Sequence, residues 1–190
     1  IPASDVRLQL CIDGADHAAL EALLSRHRIN RPYLCIHPGA RAAWRRWPAE
    51  RYAAVGDALT REGWQVIVTG STAERGLAEA VVNAMEEPAS NFAGATADIG
   101  LLAALVKGAG LMICGDTGLA HLAVAVDCPS VLVFMRSERE GWTPLDRVRH
   151  RVVTGLDGVS PEQVIEAALS QSAVTSGAHP LKHAADSFNP

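Results

Sequence analysis

The sequence predicts a Rossmann-like, doubly wound α/β domain, a parallel sheet of about six strands with helices on both faces. Two observations carry this expectation. Short, nearly unbroken apolar runs recur at intervals, as in strands covered on both faces. Helix-length segments with readable starts and stops separate them, as crossovers between parallel neighbours require. A third is the content: 190 residues at 48% hydrophobic composition suffice for one substantial core, although aromatics are only 5%, so Ala, Val, Leu and Ile must do the packing.

Taken in order, a helix is expected from about Ala15 to His27, then a strand from Tyr33 to His37. Pro48 suits a first helical position and opens a segment to Arg61 that Gly63 stops. Gln65 to Thr69 reads as the next strand. Ser71 and Glu74 then stand in capping-box spacing before a helix to about Met85. A weaker strand lies near Asn91, and a helix from Asp98 to Lys107 ends at Gly108 and Gly110. Strand Leu111 to Cys114, helix Gly118 to Val126 and strand Ser130 to Phe134 follow closely. A weaker strand, Arg151 to Thr154, precedes a helix that Ser160, Pro161 and Gln163 open and that reaches about Leu169. The domain is therefore set at residues 1–170, and the aperiodic text QSAVTSGAHPLKHAADSFNP, residues 171–190, is read as a tail that is loose or docks elsewhere.

The formal charge of −4 gives no case for nucleic-acid binding over the whole surface. Cys11, Cys35, Cys114 and Cys128 are far apart and mostly beside apolar runs, which suits free thiols in a reducing compartment and not a metal or redox centre. No apolar run is of bilayer-spanning length and no leader precedes residue 20. Ile1 stands where a complete protein would begin with methionine, so the chain is expected to be a piece of something longer.

Three loops follow strands and enter helices, so all three belong at the carboxyl edge of the sheet, where open α/β folds bind ligands. In GDTGLAH, Gly115 and Gly118 permit close backbone approach or a positive φ. Asp116, Thr117, Gly118, Leu119 and His121 surround a helix start whose N–H groups favour an anion. A cap at Asp116 or Thr117 with a partly buried His121 explains the same string. In HPGARAAWRRWP, Gly39 and Ala40 leave little side-chain bulk around backbone N–H groups, and Arg41, Arg45 and Arg46 supply guanidinium forks for phosphate oxygens. The plainer reading is a solvated loop with Trp44 or Trp47 pinned to the core. In TGSTAERG, Glu74 can accept from ribose or base groups, or can simply close the capping box with Ser71.

A nucleoside diphosphate attached to a sugar fits this inventory better than a lone phosphate. Metal ligation is disfavoured, since Asp116 and His121 at i, i+5 diverge on a helix; neither GxxxxGK[ST], GxGxxG nor GxSxG occurs.

HPGA…RRWP, VTGSTAE and GDTGLAHLAVAVDCPSVLVF, in this order, resemble the ADP-heptose:lipopolysaccharide heptosyltransferase family over about residues 31–155. The resemblance implies a GT-B enzyme of two Rossmann-like domains, of which this chain would be the C-terminal, donor-binding half. It implies inverting transfer of heptose from ADP-heptose to a lipopolysaccharide core acceptor, independent of any metal or other cofactor. Arg45 stands where the family commonly has a lysine on the donor diphosphate, Glu74 where an acid holds the ribose or base, Asp116 with Thr117 and Gly118 at its DTG, and His121 at the histidine that follows. Met135 and Arg136 stand where the family usually has a glycine. The general base is implied in an N-terminal domain, so no catalytic residue is assigned here. A cytoplasmic protein is implied, meeting its acceptor at the inner membrane through that other domain, to which residues 171–190 could cross back. The alternatives are a transferase for another nucleotide sugar in surface polysaccharide synthesis, a non-catalytic nucleotide-binding module, and, less favoured, a phosphate-ester hydrolase.

Overall fold

The computed structural model describes residues 10–30, 32–96, 98–135, 144–155 and 158–175. Within them the chain alternates as expected: α1 (Gly14–Arg26), β1 (Tyr33–His37), α2 (Ala49–Arg61), β2 (Gln65–Val68), α3 (Arg75–Ala84), β3 (Ala89–Asn91), α4 (Ile99–Gly108), β4 (Leu111–Gly115), α5 (Gly118–Ala125), β5 (Ser130–Phe134), β6 (His150–Thr154) and α6 (Pro161–Thr175). The strands form one six-stranded sheet in the order β3-β2-β1-β4-β5-β6, and every pairing is parallel.

Side-chain alternation along each strand divides the core into two layers. Leu34 and Ile36 of β1, Val66 and Val68 of β2, Ile113 of β4 and Val131 and Val133 of β5 face α2, α3 and α6, among Trp47, Tyr52, Val55, Val81 and Val164. Cys35, Ile67, Met112, Cys114 and Leu132 face the other way, toward α1, α4 and α5, among Leu20, Leu23, Leu105 and Leu122. Cys35, Cys114 and Cys128 are buried and unbridged, and Cys11 is exposed and free. Burial pushes the Cys114 thiol up to about 12, so it behaves as an apolar filler.

Punctuation read in the sequence is realised as hydrogen bonds. The Asp98 carboxylate accepts the Leu101 N–H at 2.8 Å, and the Gln163 side chain accepts the Ser160 N–H at 3.0 Å. The start at Ser71 differs in detail, because a single 3-10 turn, Thr72–Glu74, precedes α3. The last helix also differs: α6 runs to Thr175, past the limit near Leu169 and across the boundary at residue 170. The reason is tertiary, since Gln171 is buried and its amide donates to the Val148 carbonyl at 2.6 Å. Residues 176–190 of the expected tail, and Arg136, lie outside the described residues. Among the described residues no helix is long and apolar enough to cross a membrane.

The order places β1 and β4 side by side at the centre although half the domain separates them in sequence. The chain leaves β1 toward α2 on one face and leaves β4 toward α5 on the other. Their loops part at this point, and a crevice opens above the sheet.

Candidate functional site

A cavity of about 520 Å³ occupies that crevice, within the usual size range of small-molecule sites. His37 at the end of β1, Thr69 after β2 and Asp116 after β4 line it, so it sits at the carboxyl edge as expected. Ala40, Arg41 and Arg45 come from the first loop, Ser71 and Glu74 from the second, and Thr117, Gly118, Leu119 and His121 from the third. The three loops read separately in the sequence thus share one cavity. Gly39 does not line the cavity; it lies buried behind the wall. A Cβ placed on it would stand 2.7 Å from the Glu74 carboxyl carbon and 2.8 Å from His37 Nε2. Its lack of a side chain makes room for Glu74 and His37, and that is a different use from the anion-facing backbone expected.

The third loop is built on β4, whose last residue is Gly115. Thr117 caps α5, its hydroxyl accepting the Leu119 N–H at 3.1 Å, while the Thr117 carbonyl accepts the Ala120 N–H. The Gly118 N–H, at the first helical position, has no intrahelical acceptor. Gly118 is exposed, with nothing within 4 Å of where its Cβ would be. The positive φ considered for Gly115 and Gly118 is not found; the glycines with positive φ among the described residues are Gly63, Gly94 and Gly158. At Gly115 a Cβ would meet the Arg45 and Val133 carbonyls at an ordinary 3.6 Å. What glycine provides at the helix start is open space above the N-terminus.

The first loop takes one 3-10 turn, Ala43–Arg45, which sends its aromatic and cationic side chains different ways. Trp47 is buried, donates from Nε1 to the Val159 carbonyl at 3.0 Å and meets Tyr52 edge-on. Trp44 is half exposed, with the Arg45 guanidinium 4.9 Å from its ring centre. Arg45 Nη1 lies 3.0 Å from Asp116 Oδ2, an ion pair that joins the first loop to the third across the crevice. Arg46 does not line the cavity; its Nε donates to the Ala40 carbonyl, and its charge acts on the cavity through Glu74.

In the second loop Glu74 Oε2 accepts the Ser71 N–H at 2.9 Å and the Ser71 hydroxyl at 2.8 Å. Its Oε1 lies 4.0 Å from His37 Nε2. The carboxylate closes its cap and also lines the cavity, so capping leaves it at the site. Burial pushes this carboxyl up, but the two Ser71 bonds, His37 and Arg46 together outweigh it and hold the carboxyl below its ordinary value. His37 is buried, and burial lowers its pKa against the raising effects of Glu74 and the Thr69 carbonyl, so at neutral pH the ring is uncharged.

His37, Thr69, Gly70, Thr96 and Leu102 complete the lining without having been singled out from the sequence. Of these, His37, Thr69 and Gly70 carried a local signal, since they open the HPGARAAWRRWP and TGSTAERG strings.

The profile of glycosyltransferase family 9 (heptosyltransferase) matches residues 2–172. The chain belongs to this family. It is 30% identical over 119 residues to lipopolysaccharide heptosyltransferase 3 of Escherichia coli, an alignment covering 61% of this chain and 35% of that protein. Among solved structures, a glycosyl transferase of family 9 from Veillonella parvula DSM 2008 superposes with a TM-score of 0.84 at 23% identity, over 92% of this chain and 56% of that one. The ADP-heptose lps heptosyltransferase II of E. coli superposes with a TM-score of 0.78 at 23% identity, over 88% and 54%. These superpositions establish the family 9 fold. The match spans about a third of the curated relative and about half of each solved chain.

Proposed function

We propose that this family 9 chain binds a nucleotide sugar, ADP-heptose, and serves inverting transfer of the heptose to a lipopolysaccharide core acceptor. The observation that carries the reading is the gathering of Arg45, Asp116, Glu74 and the open start of α5 around one cavity. The family's description as heptosyltransferases and the name of the superposed E. coli enzyme, which includes ADP-heptose, support this choice of donor.

In this reading the diphosphate lies between Arg45 and the α5 N-terminus, and Glu74 faces the ribose. The acceptor hydroxyl oxygen attacks the anomeric carbon from the side opposite the leaving group. The bond from that carbon to the phosphate oxygen breaks, and ADP leaves with the electron pair. Negative charge then grows on the diphosphate oxygens, where the Arg45 guanidinium and the Gly118 N–H stabilise it more in the transition state than in the ground state. The acceptor proton passes to a carboxylate on a second domain, so no residue of this chain is assigned as the base. In this reading neither a metal nor another cofactor takes part, as the family resemblance implies. The reading places the protein in the cytoplasm, with acceptor and inner-membrane contact made through that second domain.

Calorimetric titration with ADP, UDP, GDP and ADP-heptose tests this. Selective binding of the adenine nucleotides is expected, weakened about tenfold or more by Arg45→Ala through loss of a charge-assisted hydrogen bond. A chain that prefers UDP or GDP refutes the donor assignment. Equal affinity for ADP and ADP-heptose, with no transfer when paired with a complete family 9 N-terminal half, favours a nucleotide-binding module without catalysis.

A further inference from the structure

We propose that Trp44 is a positioning residue for the donor diphosphate, acting through Arg45; the role rests on the nucleotide-sugar reading above. The starting point is a contrast among the tryptophans. Trp47, three residues on, is buried and hydrogen-bonded, and Trp64 is partly buried against the same core layer. Trp44 is 50% exposed, so it spends a large apolar ring where the core gains little from it. Its ring lies under the guanidinium of Arg45, 4.9 Å from the ring centre.

That guanidinium is held on two different surfaces. The indole ring lies under its central carbon, and Asp116 engages one nitrogen, Nη1, at 3.0 Å. A guanidinium carries five N–H donors and Asp116 engages one of its nitrogens, so donors remain for phosphate oxygens while the ring contact and the ion pair together restrict where the fork sits. A planar cation on a long, freely rotating stem gains most from such pre-orientation, because ligand binding then orders fewer torsions. The 3-10 turn Ala43–Arg45 supplies the geometry: the two side chains are adjacent in sequence, and the turn brings the cation over the ring, with the Arg45 N–H bonded to the Ala42 carbonyl at 3.0 Å.

The test is a double-mutant cycle read by calorimetry on the whole chain, with ADP and adenosine as ligands. Trp44→Ala should raise the Kd for ADP about two- to fivefold, the range of an exposed cation–π contact. Trp44→Phe should restore most of that loss. Adenosine, which lacks the diphosphate, should bind both variants as it binds the wild type. In an Arg45→Ala background Trp44→Ala should cost nothing further. The proposal is overturned if Trp44→Ala weakens adenosine as much as ADP, if its cost persists without Arg45, or if it has no effect while Arg45→Ala does. Wild-type chain that does not bind ADP, or an Arg45→Ala variant that binds it unchanged, overturns the nucleotide reading itself and this role with it.

Discussion

Replacing Gly39 by alanine adds one methyl group behind the wall of the cavity, and the structure says where it goes. It would stand 2.7 Å from the Glu74 carboxyl carbon and 2.8 Å from His37 Nε2, distances that real Cβ atoms do not tolerate. Gly39 is not among the glycines with positive φ, so the backbone accepts alanine and the whole effect is steric. His37 is packed in the interior and hydrogen-bonded toward Thr69, so the carboxylate is the part that yields. Moving it breaks the bonds from the Ser71 N–H and hydroxyl, 2.9 and 2.8 Å long. Loss of such a cap on a partly exposed carboxylate costs about 1–2 kcal/mol. For a chain of this size that corresponds to a melting temperature lower by about 2–8 °C. Thermal unfolding followed by circular dichroism measures it, and ADP titration should show weaker binding, since Glu74 leaves the cavity wall. In a Glu74→Ala background the methyl loses its main obstacle, so the cost of Gly39→Ala should shrink. Additive costs in the double variant, or an unchanged melting temperature and ADP affinity in the single one, would refute the argument.

Gly118→Ala is the opposite case: open space surrounds the position at the first turn of α5, so stability should hold or rise by up to about 1 kcal/mol. ADP affinity should nevertheless fall, and unchanged affinity in a titration would mean that the phosphates do not approach this helix start. Acid should destabilise the fold through His37 and His150, both lowered chiefly by burial from an ordinary 6.5. The unfolded chain takes up these protons first, so their contribution is complete above pH 6.5 and is lost as pH falls below it. Denaturant midpoints measured from pH 7.5 to 5 should decline in the wild type and decline less in His37→Gln. Asp57 is buried and accepts the Glu86 and Glu87 N–H groups at 2.9–3.1 Å, tying the end of α3 to α2. Asp57→Ala should cost about 2–4 kcal/mol, read from urea unfolding, because those donors lose their acceptor.

The sheet was readable because its strands are apolar on both faces, and nothing but burial explains YLCIH or SVLVF. Ala89–Asn91 gave a weak signal for a physical reason: it is a three-residue edge strand, only partly buried. The end of α6 was missed because QSAVT is small and polar, while Gln171 is held by a carbonyl from a different part of the chain. Each site loop announced itself through residues that a plain strand-to-helix junction does not need, above all in GDTGLAH. Their convergence rested on topology, and the pairing of Arg45 with Asp116 across the crevice has no local trace, since the two are 71 positions apart. Thr96 and Leu102 are ordinary residues locally and become part of the site only through the fold. The choice between Trp44 and Trp47 as the buried ring turned on a carbonyl at Val159, beyond the reach of any short motif.

The opposite departures of the chain after β1 and β4 give the cavity two independent foundations. The wall bearing Arg45 is anchored through Trp47 and α2 in one layer, and the wall bearing Asp116 is anchored through α5 in the other. The sheet between them behaves like a spine with a jaw mounted on each side, and the Arg45–Asp116 pair is the one described ion pair that bridges the jaws. A small packing change in either layer, far from any ligand, is therefore felt at the cavity as a change in gape. Ligand affinity in such an architecture can be tuned from the core without altering a single residue that lines the cavity.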